Sequence, residues 1–138
     1  MAEQAAPSGY RPPVSAEELI LRYQAGERRF AGTELPDETM LCGVDLSGSN
    51  LQGCWLWGAD FRGADLRGAV FDGSNLKLSD FRDADLRGAS FRKALLCGTK
   101  VDGARIEGTV AAGATFYGAE IVSLGELLTG SAPGKTPG

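Results

Sequence analysis

The chain has 138 residues, 43% of them hydrophobic, with 18 acidic and 14 basic side chains and a formal net charge of −4. That suffices for one small core; no apolar run approaches the ~20 residues that span a bilayer, and the charge is too mild to announce a partner. Histidine is absent and Cys42, Cys54 and Cys97 form no C-x-x-C pair, which removes the commonest general base and leaves no signature of a zinc site or disulfide framework.

In chain order, MAEQAAPSGYRPPV lacks a basic start and an apolar h-region, so no secretory signal is read and a cytoplasmic protein is expected. Residues 1–13 read as a disordered tail. Residues 14–27 contain SAEELILRYQAG, in which Ser15 and Glu18 have capping-box spacing, Leu19, Ile20 and Tyr23 share a helical face, and Gly26 is a natural stop. This is a helical cap. Phe30 and Leu35 then look like the centres of two five-residue units, one residue out of register with Leu41, so an irregular corner is expected in LPDETM.

From Leu41 to Ile121 every fifth residue is apolar, seventeen times without a slip. The residue two before each centre is small, apart from the modest Val44, and the residue two after is glycine in thirteen units, with Leu78, Asp83, Lys93 and Ser123 the exceptions. A period of five fits neither an amphipathic helix nor a simple strand; it asks for a short extended piece and a corner, repeated. From Phe61 to Leu96 the centres alternate Phe and Leu. A coil of four units would stack Phe61 on Phe81 and Phe71 on Phe91, with leucines on the other two sides, whereas a coil of three would mix sizes on each side. Leu56, Phe61, Leu66, Phe71, Leu76, Phe81, Leu86, Phe91, Leu96 and Phe116 are therefore the expected core ladder.

The units ADFRG, ADLRG and SDFRD resemble the pentapeptide-repeat family, whose pattern is A-(D/N)-L-x-x, over roughly residues 28–123. The stretch ELILRYQAGERRFAGTEL is similar to the cap of cyanobacterial-type members. The resemblance implies an all-β solenoid: a right-handed, quadrilateral (four-sided) parallel β-helix, here of about four and a half coils, with the central Leu/Phe and the preceding small residue inward. Beyond it, SLGELLTG in 124–130 is expected to be a short C-terminal helical cap, with Leu124, Leu127 and Leu128 over the last coil, and 131–138 a disordered tail.

The residues flanking each centre should point outward. On two sides they are Asp60, Asp80, Asp65 and Asp85, each followed two residues later by Arg62, Arg82, Arg67 or Arg87. Stacked aspartates could hold a cation or work as a carboxylate pair; the simpler alternative is mutual neutralisation with the arginines. The side centred on Leu56, Leu76, Leu96 and Phe116 differs. Its outward residues include Trp55, Trp57, Lys77, Leu78, Leu95, Cys97 and Tyr117, with one charge among them. Either this is a contact surface for another protein or a second copy of the chain, or the N-terminal segment folds over the tryptophans.

The leading functional expectation is a non-catalytic scaffold that binds a protein partner, or itself as a homodimer, through that side. No catalytic, cofactor-binding or metal-ligating residue is nominated, and neither a membrane, nor nucleic acid, nor a small-molecule substrate is expected as a partner. The alternative follows from the family resemblance: a DNA mimic that binds DNA gyrase and protects it from quinolones. Such a mimic needs a strongly negative rod, but residues 39–123 carry ten acidic and nine basic side chains.

Overall fold

A computed structural model describes residues 9–129 of the chain. Helix α1 spans Ala16–Gln24. Ser15 Oγ accepts from the Glu18 amide at 3.0 Å, and the Glu18 carboxylate accepts from the Val14 amide at 3.1 Å, one residue earlier than an ideal capping box would place it. The helix stops as the sequence predicts. Gly26 takes φ 105°, its amide reaches Tyr23 O, and the Glu27 amide reaches Arg22 O, which together form a Schellman ending. Leu19 is fully buried under the cap, and Tyr23 Oη donates to Ser47 O at 2.7 Å, fastening α1 to the first coil.

From Arg29 to Thr115 the backbone winds in coils. Single parallel bridges join residues twenty apart, Trp55 to Asn75 to Leu95 to Thr115 for example, so four five-residue sides make one coil. Eighteen sides give four and a half coils. Each side is too short for a continuous strand, yet every level is stitched to the next: Phe61 N donates to Asp80 O at 2.8 Å, and Asp80 N to Ala59 O at 2.9 Å. The usual corner is a turn in which the central residue's carbonyl accepts from the amide three residues on, as in Ala64 N to Phe61 O at 3.0 Å, although Cys54 N bonds Ser74 Oγ at 3.0 Å instead. Its third residue lies at positive φ, the type II pattern, which explains the glycine. Leu78, Asp83 and Lys93 occupy such corners without being glycine and still hold φ of 59–62°, so coil geometry overrides local preference.

The interior consists of like-on-like columns. Phe61 stacks on Phe81 at 5.0 Å and 1°, and Phe71 on Phe91 at 5.1 Å and 14°, while Phe61 and Phe71 meet edge to face at 5.9 Å. All four rings are buried, as are Leu46, Leu56, Leu66, Leu76, Leu86 and Leu96. Burying each such side chain contributes roughly 1.5–3 kcal/mol. Three of the polar inward residues donate to the coil below: Ser74, Ser79 and Thr99 hydroxyls bond the carbonyls of Leu51, Leu56 and Leu76. The outward Asp or Asn has a backbone duty too, since Asp60, Asp65, Asn75, Asp80 and Asp85 each accept the amide two residues on. Without that acceptor the amide would lack a protein partner.

The irregular corner holds one extra residue. Bridges spanning it run over twenty-one positions, Arg29 to Asn50 and Glu34 to Trp55, and return to twenty at Met40 to Asp60. Glu38 takes the corner's positive φ of 64° in place of residue 37.

Three expectations need correction. Residues 9–13, assigned to a disordered tail, are placed against the cap: Tyr10 Oη donates to Ala31 O at 2.8 Å, and Pro13 is buried. The rest of that tail, and 131–138, lie outside the described residues. The coil ends before residue 123, because Tyr117 and Gly118, both at positive φ, form a tight turn between β1 (Ala114–Phe116) and β2 (Ala119–Ile121), which pair antiparallel. Finally, Leu124, just before α2 (Gly125–Thr129), and Leu127 within it are buried, whereas Leu128 is exposed, its place on a five-residue helix turning it outward. Among the described residues no helix is long and apolar enough to cross a membrane.

Candidate functional site

The four sides share one interior and differ outside. On the sides centred on Phe61 and Leu66, the carboxylate at one level and the guanidinium two residues later close bidentate pairs. Arg62 to Asp60 and Arg67 to Asp65 are 2.7 Å apart, Arg82 to Asp80 is 2.6 Å and Arg87 to Asp85 is 2.7 Å. Arg62 and Arg67 also reach the next level's Asp80 and Asp85 at 3.9 Å. Hydrogen bonds from the arginines hold all four carboxyls below their usual range, that of Asp85 at about 2. Carboxylates this low do not accept protons near neutrality, and their lone pairs already face guanidinium and amide donors. The arrangement is a neutralised surface network.

The side centred on Leu56 and Leu76 presents apolar groups instead. Trp55 is 41% exposed, Leu78 51% and Leu95 37%, while Trp57, Lys77 and Cys97 are half-buried. Parallel bridges put Glu34, Trp55, Asn75 and Leu95 at four successive levels of one row. Tyr117 does not extend the row of Trp57, Lys77 and Cys97. It is the first turn residue between β1 and β2, 56% exposed, with its ring edge-on to Phe116 at 4.6 Å.

The irregular corner contributes residues that the repeat pattern leaves unnoticed. Asp37 accepts the Trp55 indole N–H at 2.9 Å, fixing that ring on the surface, and the Glu38 amide bonds Trp57 O at 3.0 Å. Glu38, Met40, Trp57, Leu78 and Lys100 line a shallow groove of about 410 Å³ along the edge of this side. Met40, 61% exposed, adds to the apolar area. The register slip in LPDETM was the available signal, but it does not say which side chain turns toward the tryptophans.

The placed part of the N-terminal segment makes its contacts elsewhere. The Tyr10 ring faces the Arg22 and Arg29 guanidinium groups at 5.9 and 5.3 Å, on the cap side of the rod. Of the cysteines, Cys54 is buried and its thiol is pushed up to about 11 by desolvation, so it is a small core residue rather than a nucleophile. Among the described residues no cluster of carboxylates and thiols could hold a metal ion.

A family model of pentapeptide repeats matches residues 45–83 and 74–110. The chain is 34% identical to alr5209, a pentapeptide repeat protein from Nostoc PCC 7120. That similarity covers 78% of this chain and 99% of the other, with a TM-score of 0.71. QnrB1, a plasmid-mediated fluoroquinolone resistance protein, shares the fold at 23% identity and a TM-score of 0.52, over 62% of this chain and 50% of its own. The chain matches none of the curated proteins compared with it. It belongs to the pentapeptide-repeat family.

Proposed function

We propose that this chain is a non-catalytic scaffold, a right-handed quadrilateral β-helix of pentapeptide repeats, that engages protein through the side bearing Trp55, Trp57, Leu78 and Leu95. The observation that carries this reading is the contrast between sides. Where Phe61 and Leu66 are central, the outward positions hold paired charges, and where Leu56 and Leu76 are central they hold an indole pair and exposed leucines. Folding stability gains nothing from exposing these groups, and aromatic anchors beside aliphatic ones are the usual composition of an interface centre. Leu78 adds to the case. It occupies a positive-φ corner at a cost of about 1 kcal/mol and leaves half of its surface in water.

The gyrase-mimic alternative is weakened by the same contrast. The aspartate rows that would imitate phosphates are each covered by an arginine row, so the rod offers little net negative field. The three cysteines are unpaired, which suits a reducing compartment and supports a cytoplasmic location. The test places a photo-cross-linking amino acid at position 95 and, as a control, at position 67. Adducts to protein at 95, absent at 67 and lost with Trp55→Ala/Trp57→Ala, support the reading; equal labelling at both positions refutes it. Protection of gyrase supercoiling from a quinolone would replace it with the mimic.

A further inference from the structure

Resting on that reading of the surface, we infer that its occupant is a second copy of this chain, lying side by side and antiparallel. The argument is the distribution of charge along the side. At the first level stand Glu34, Asp37 and Glu38, all exposed. The second level carries Trp55 and Trp57, and the third Asn75, Lys77 and Leu78. At the fourth, Lys93 and Lys100 flank Leu95 and are exposed. The bridges Glu34 to Trp55 to Asn75 to Leu95, and Met40 to Asp60 to Asp80 to Lys100, fix these levels. The side thus runs from acidic through aromatic to basic over three steps of ~4.8 Å.

These charges differ from Asp60, Asp65, Asp80 and Asp85 in a second way. The aspartates of the neighbouring sides are closed onto arginines, whereas none of Glu34, Asp37, Glu38, Lys77, Lys93 or Lys100 forms a salt bridge within the described chain. They are available to a partner. A parallel pair of rods would set acid on acid and lysine on lysine. A two-fold axis in the plane of contact, running across the rod midway between the Trp55 and Asn75 levels, sets the first level of each copy against the fourth of the other.

This rotation keeps left on left and right on right. Glu34 of one copy then approaches Lys93 of the second, on the side that leads into the row. Glu38 approaches Lys100 on the side that leads out of it. Both contacts occur twice. At the centre, Trp57 meets Lys77 of the second copy, a cation over an indole. Trp55 meets Asn75, and Leu78 meets the corner occupied by Gly58. The same patch serves both copies, and Glu34, Glu38, Lys93 and Lys100 each find an opposite charge.

The area is modest. One side over four levels, with its corners, falls below the ~800 Å² per partner of a standard interface, so a weak, reversible dimer is expected. Sedimentation of the full chain from about 10 μM to 1 mM at low salt should show mass rising from monomer toward dimer, and added salt should suppress the rise. Two exposed charge reversals test the arrangement, with circular dichroism confirming the fold. Glu34→Lys/Glu38→Lys and Lys93→Glu/Lys100→Glu should each weaken self-association more than about tenfold, because each sets like charges together twice. An equimolar mixture of the two variants should recover association to within about threefold of wild type, since every trans contact is again of opposite sign.

A monomer across the whole range overturns the inference. So does a dimer indifferent to both reversals, or a mixture no stronger than either variant alone. If the chain is monomeric while position 95 still cross-links a different protein in a Trp55- and Trp57-dependent way, the contact surface stands and only the second copy is excluded. If neither occurs, both readings fall.

Discussion

The side centred on Phe61 and the side centred on Leu76 are built over the same columns of buried rings and leucines, with the same corners and the same bridges twenty residues apart. One closes its charges on itself, Asp60 on Arg62 and Asp80 on Arg82; the other leaves Trp55, Leu78 and Leu95 facing outward. In this fold the interior sets the backbone, and the two outward residues of each unit are free to vary. Stability and recognition therefore reside on different atoms of the same five residues, which lets one be changed without the other.

The largest effect should come from breaking what both sides share. Phe81→Ala removes a ring stacked on Phe61 and edge-on to Phe71 and Phe91. It should cost about 3–5 kcal/mol, read from urea unfolding, and release both surfaces together. Loss of only one side's spectroscopic signal would show that the levels unfold separately.

Next come the corners. Gly63 and Gly98 both hold φ near 70°, but a Cβ at 63 meets open space whereas one at 98 runs into the Leu78 side chain. Gly63→Ala should cost about 1–2 kcal/mol from the backbone alone. Gly98→Ala should cost measurably more, and adding Leu78→Gly should recover the excess. Equal costs would mean that Leu78 moves away freely.

The surface substitutions should be mild in stability and selective in consequence. Trp55→Ala/Trp57→Ala leaves the core columns intact and should shift the urea midpoint little while abolishing association. Since these are the only tryptophans, wild-type emission should be readily quenched in dilute solution and shielded as concentration rises. Concentration-independent quenching would place the contact elsewhere.

The smallest effect belongs to the paired side. Asp60, Asp65, Asp80 and Asp85 have carboxyls held low by their arginines. A lowered folded-state value means that the stabilisation is complete above the unfolded carboxylate range near ~3.9 and is lost as pH falls through the folded values. For Asp85 that loss extends down to about 2. Asp85→Asn should remove its share of this acid slope by lowering neutral stability by the same small amount, leaving the stability at low pH nearly unchanged. An acid slope unaffected by the substitution would show that the pair adds nothing to stability.

Much of this was legible in the residues. The unbroken five-residue period, the Phe–Leu alternation and the Asp-x-Arg spacing specify the coil, its four-unit turn and the paired surfaces, because each is a strictly periodic, local pattern. The capping of α1 was readable from Ser15, Glu18 and Gly26 for the same reason. What escaped was aperiodic. Val110–Ile121 continues the repeat in letters, yet Tyr117 and Gly118 turn the chain back into a hairpin. Tyr117 was thereby misassigned to the row of Trp57, Lys77 and Cys97. The contact of residues 9–13 with the cap was equally hidden, since Tyr10 finds Ala31 only once the chain is folded.

The sequence by itself determined that this chain coils in fives and that two tryptophans leave the coil on one side, since inward and outward alternate by position alone. The tertiary structure decided what stands beside them. The one-residue insertion at the irregular corner brings Asp37 to the Trp55 indole and sets Glu38 at the edge of the groove, while Lys100, sixty residues after Met40 and three levels above it, lines the same groove. Residues so distant in the chain become neighbours only through stacking, and so the acidic-to-basic run of this surface exists only in the folded rod.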